Sequence, residues 1–260
     1  MEREVLENMS SAELVKLLKE DPSLSSKFDE YSLWSKIITW RDLLAEQPQF
    51  ADKCDKWGEF DAYDWHILLK KQPQFADKCD KWSEFDTGLW SLLLFQQPQF
   101  ADKCDKWGEF NALKWSSLLK KQPQFADKCE KWSKFDAYEW SSLLEKQPRF
   151  ADKCDEYGGW SKFDADDWSG LLKKQPQFAD KAKEFAHDWA GILSINPEFA
   201  DKCDKWVEFD AYEWRSLLEK QPQFAVKCDE YDGWRKFETD HWSLLLDEQP
   251  QFEEKRDALN

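Results

Sequence analysis

The chain has 260 residues, 35% of them charged, and a formal net charge of −16. That balance excludes a basic stripe for phosphates and argues against an anionic membrane surface. The N-terminus shows no apolar run of signal-peptide kind, and no stretch approaches the ~20 apolar residues of a membrane span, so a cytoplasmic protein is expected, with no direct nucleic-acid contact and no membrane.

All ten prolines occupy one point of a repeated unit, at spacings of 26, 25, 25, 25, 25, 28, 21, 25 and 28 residues from Pro22 to Pro250. The stretch QPQFADKCDKW is complete at residues 47–57, 72–82 and 97–107. Self-similarity at this period marks a repeat array. The expectation is an all-α fold, an α-solenoid of about ten short two-helix repeats with a period of about 25 residues.

Residues 1–46 read as an N-terminal capping region. Ser10 and Glu13 form a capping box before Leu14, which takes the place of a later tryptophan. Helical repeats fill 47–175. In the repeat from Pro48, proline suits a first helical position, and Phe50, Ala51, Cys54 and Trp57 fall on one helical face. This predicts a helix A of about nine or ten residues, stopped at Gly58. Asp61 and Asp64 then cap a helix B, with Phe60 and Trp65 as its hydrophobic staple. Trp65, Leu68 and Leu69 share its buried face, and the residue before Pro73 ends it. No segment alternates at period two, so no strand is expected.

The loops Tyr157-Gly-Gly-Trp160 and Tyr231-Asp-Gly-Trp234 carry three residues more than the usual repeat, and Tyr31-Ser-Leu-Trp34 one more. They read as longer loops on one rim, the added Trp covering the corner between helices. The repeat at 176–196 is four residues short, and its apolar positions from Phe178 to Leu193 form one unbroken stripe. A single continuous helix of about 18–20 residues is predicted there, with a tight turn as the alternative. Residues 197–260 resume the repeats and end in a capping helix, where Glu253 and Arg256 replace the usual Ala and Cys.

The seven cysteines each lie six residues after a proline, too sparse for zinc and too far apart for disulfides, so buried reduced thiols are expected. His66, His187 and His241 read as single surface residues on helix B. No phosphate loop, nucleophile elbow or metalloprotease motif is present, which predicts no enzyme and no cofactor.

The chain resembles bacterial proteins built of tandem LL-x-x-QPQFADKCDW units, over Leu43 to Phe252. The resemblance implies the repeat architecture and carries over no activity and no site residues.

Helix A hardly varies between copies, whereas helix B keeps its Trp and Leu pair and varies elsewhere. Counting from the helix B Trp, positions −2, +2, +5 and +6 point outward. Tyr63, Ile67, Leu92, Phe95, Leu113 and Tyr138 are apolar at such positions. A fixed scaffold with a variable face is how repeat proteins bind partners. These six residues are therefore the expected protein-binding set of a non-enzymatic scaffold. The alternative is an acidic decoy that inhibits a basic, nucleic-acid-binding protein, separable by its salt dependence.

Overall fold

Most repeats end in a short α-helix that buries one Trp and two Leu. The computed structural model describes residues 3–259 and contains no strand among them. The protein is an all-α solenoid with a period of about 25 residues. The chain divides into two compact units, Met1–Phe110 and Asn111–Asn260. In the first, the B helices Ser11–Glu20, Trp40–Glu46, Ala62–Lys71 and Thr87–Gln96 each pack on the next. The second holds Ala112–Lys121, Ala137–Lys146, Ala165–Lys174, Trp189–Ile195, Ala211–Lys220 and Thr239–Glu248, packed in the same succession.

The helix B starts follow from their caps. Asp64 N–H donates to Asp61 Oδ1 at 2.8 Å, and Asp86, Asn111, Asp136, Asp164 and Asp210 act alike. The Ser10–Glu13 box also forms, with Ser10 N–H donating to Glu13 Oε2 at 2.8 Å. The Phe60 and Trp65 rings meet at 5.3 Å, closing the staple.

Segment A differs from the expected α-helix. Pro48–Lys53 is a 3-10 helix, Cys54 is extended at φ −79° and ψ 115°, and Trp57–Glu59 is a second 3-10 turn. A 3-10 helix rises about 2.0 Å per residue against 1.5 Å for an α-helix, so it covers the same path with fewer residues. The repeats with longer loops use the α form, and so does the shortened repeat at Ala179–Phe185, which has no second indole to deliver. Ser25–Glu30, Ala151–Glu156 and Ala225–Glu230 are α-helical, each after a 3-10 turn at its proline. Their loops turn through left-handed Ser32, Gly158 and Asp232.

The added tryptophans do not cover a corner. Trp57 stacks on Trp65 at 5.6 Å and meets Phe75 of the next repeat at 5.4 Å. Trp160 makes the same pair of contacts, with Trp168 at 5.6 Å and Phe178 at 5.2 Å. Trp234 does so with Trp242 and Phe252, and Trp34 with Trp40 and Phe50. The longer loops thus deliver an indole to the usual place from three residues further along, while Tyr157 stays at the surface.

Sequence periodicity gave no hint of the glutamine clip that joins repeats. Gln72 Nε2 donates to Ala45 O at 2.9 Å, and Gln97 Nε2 to Lys70 O at 2.8 Å. These carbonyls lie in the last turn of the preceding B helix, where no intrahelical donor remains. Gln147, Gln175, Gln221 and Gln249 make the equivalent bonds in the second unit. The second glutamine steadies the first: Gln74 Nε2 donates to Gln72 Oε1 at 2.9 Å. At Asn196-Pro197-Glu198 both glutamines are replaced, and the buried Asn196 Oδ1 has no partner.

The repeat at Pro176 is not one continuous helix. Ala179–Phe185 ends at Ala186, extended at φ −72° and ψ 132°, and Trp189–Ile195 begins a new helix. Asp188 decides this, because Gly191 N–H donates to its Oδ1 at 2.6 Å and fixes a helix start. The residues missing here come partly from helix B, where Trp189 opens the helix instead of following a first turn. The tight turn is therefore the form adopted.

Candidate binding face on the B helices

All seven cysteines are buried and free. Burial pushes the Cys54, Cys79, Cys104, Cys129 and Cys203 thiols up to about 11, and those of Cys154 and Cys228 further still. Thiols held protonated at neutral pH make poor nucleophiles and poor metal ligands. Among the described residues no group of three or more His, Cys, Asp or Glu is placed to hold a metal ion. None of their helices is long and apolar enough to cross a membrane.

One cleft of the second unit gathers four carboxylates. The missing first turn before Trp189 leaves a cavity of about 440 Å³ lined by Asp164, Asp166, Asp188 and Glu213 among others. Three of these carboxylates are occupied as caps. Asp164 accepts from Asp167 N–H at 2.9 Å, Asp188 from Gly191 N–H, and Glu213 Oε2 from Asp210 N–H at 2.8 Å. Desolvation, with Asp210 and Asp188 nearby, raises the Glu213 carboxyl above its ordinary value. These three acids hold helix ends, which accounts for their convergence.

The histidines do not share one setting. His187 is exposed and lies in the turn between two helices. His241 accepts from Glu238 N–H through Nδ1 at 3.3 Å, as part of a capping box. His66 is not a surface residue: it is 3% exposed, because position +1 of a B helix faces the neighbouring B helix. Arg41 shows that geometry, with its Nη1 2.8 Å from Asp64 Oδ1 across the joint.

The expected binding residues fall into two groups by exposure. In the first unit Tyr63 and Leu92 are exposed, at 56% and 55%, while Ile67 and Phe95 are half-buried. In the second unit Leu113 and Tyr138 are exposed, at 52% and 62%. Positions +2 and +5 lie close to the seam between B helices, as the bond from Lys120 Nζ to Ser142 Oγ at 2.8 Å shows. A wheel drawn for an isolated helix cannot register that seam. The guanidinium of Arg41 stands 5.9 Å from the Tyr63 ring centroid, fixing one edge of the exposed aromatic.

The chain matches no protein-family model, no curated protein and no solved structure.

Proposed function

We propose that the protein is a non-enzymatic, protein-binding repeat scaffold that engages its partner through the outward face of the B helices. The observation that carries this reading is the exposure of Tyr63 and Leu92 on two packed helices of the first unit. Neither side chain gains much from folding, since each keeps half its surface in water. Large apolar side chains left exposed on a packed face serve interaction, and aromatic anchors supply a large share of binding energy. In the second unit, taken by itself, Leu113 and Tyr138 are exposed in the same way.

The test compares wild type with Tyr63→Ser/Leu92→Ser as bait in the source cell extract. Proteins retained by wild type should be lost from the double variant, with a melting temperature within about a degree or two, as expected for surface substitutions. Equal retention by both would overturn the reading. The formal charge of −16 supports the second reading, an acidic decoy for a basic protein. In that case binding should weaken steeply between low and physiological salt and ignore the two serines.

A further inference from the structure

We infer that His66 makes the joint between helices Ala62–Lys71 and Thr87–Gln96 open on acidification, and so controls the part of the face that bears Tyr63 and Leu92. Both imidazole nitrogens are buried and neither has a hydrogen-bond partner. The other copies show what this position tolerates. Ser116 donates to Leu113 O, and Ser141 to Tyr138 O and to Asp167 Oδ1. Arg41 is a cation there, but it has Asp64 and Asp42 in contact, and Arg215 has Glu219. Opposite His66 the place of Asp64 is taken by Leu89, which offers no acceptor.

The charged groups that act on His66 are Lys70 of its own helix and Asp86 at the start of the next. Asp86 is already engaged as a cap, accepting from Leu89 N–H at 2.8 Å. Tyr63 lies 6.4 Å away between ring centroids, on the same helix as His66. Desolvation, followed by Lys70, outweighs Asp86 and holds the imidazole below its ordinary value. The folded joint therefore prefers neutral His66. Its contribution is complete above about pH 6.5, the unfolded value, and is lost as pH falls through the lower folded value. The joint is a suitable place for such a response, because Ala62–Lys71 packs more sparsely on Thr87–Gln96 than on Trp40–Glu46.

The statement about the face rests on the binding reading above; the opening itself does not, and no partner enters its test. Hydrogen-exchange protection of the full chain is measured from pH 7.5 to 5, for wild type and for His66→Ser, the residue found in equivalent copies. Wild-type protection across 62–71 and 87–96 should fall by up to about tenfold per pH unit below pH 6.5, beyond any fall in the variant. An equal decline in both would overturn the inference. The His66 imidazole is also titrated by NMR in wild type, so a poorly folded variant leaves the question answerable. A midpoint at or above the ordinary value would likewise overturn it.

Discussion

Trp140→Ala should lower the stability of the protein by about 3–5 kcal/mol, the range for a fully buried large aromatic. The indole is inaccessible to solvent, stacks on Trp132 at 5.6 Å and meets Phe135 at 5.1 Å. Trp132 in turn contacts Phe150 of the next repeat at 5.5 Å, so the cavity would open at a junction and not within one repeat. Urea denaturation gives the measurement. A cost under about 1 kcal/mol would mean that the stacked indoles do not bind repeats together.

Gly159→Ala should cost about 1–3 kcal/mol by overpacking, although its backbone lies at an ordinary helical φ of −67°. An added Cβ would come within 2.5 Å of Cys154 Sγ and 2.8 Å of Trp140 Cδ1 and Nε1. Gly233 stands in the same relation to Cys228 and Trp214. In the first long loop the equivalent residue is Leu33, which is buried, and the preceding B helix carries Leu14 instead of Trp. A smaller residue on one side thus goes with a larger one on the other. Gly58→Ala is the control, since its Cβ would meet nothing within 4 Å, and it should change stability by less than about 0.5 kcal/mol. Equal effects at the two glycines would contradict the packing argument.

The period, the helix B caps and the buried Trp and Leu faces were legible because each rests on local rules. Asp61 caps and Phe60 staples through neighbours four or fewer residues away from the helix start. Segment A was not legible in the same way. Burial of Phe50, Cys54 and Trp57 fits an α-helix, but it fits a 3-10 turn followed by an extended cysteine equally well. The glutamine clips involve a partner about 27 residues away, which no local pattern reports. At Pro176 the unbroken apolar stripe suggested continuity, while Asp188 was the signal against it, since Asp61 and Asp136 cap helices in other repeats. The burial of His66 was only partly legible from its copies, since Ser116, Ser141 and Ser169 are buried at that position while Arg41 and Arg215 reach partly into solvent. The exposure of Tyr63 and Leu92 was legible from the wheel, but the half-burial of Ile67 and Phe95 depends on the seam between helices.

The repeats with longer loops keep the stacked indole at its usual place in space, and not at its usual position in the repeated sequence. Tyr157 aligns with Trp57 in sequence, whereas Trp160 occupies its place in space, fully buried against Trp168 and Phe178. The most direct test is the pair Tyr157→Ala and Trp160→Ala, each measured by equilibrium denaturation. The expected losses are about 3–5 kcal/mol for Trp160→Ala and under about 1 kcal/mol for Tyr157→Ala. A larger loss at Tyr157 than at Trp160 would contradict the account.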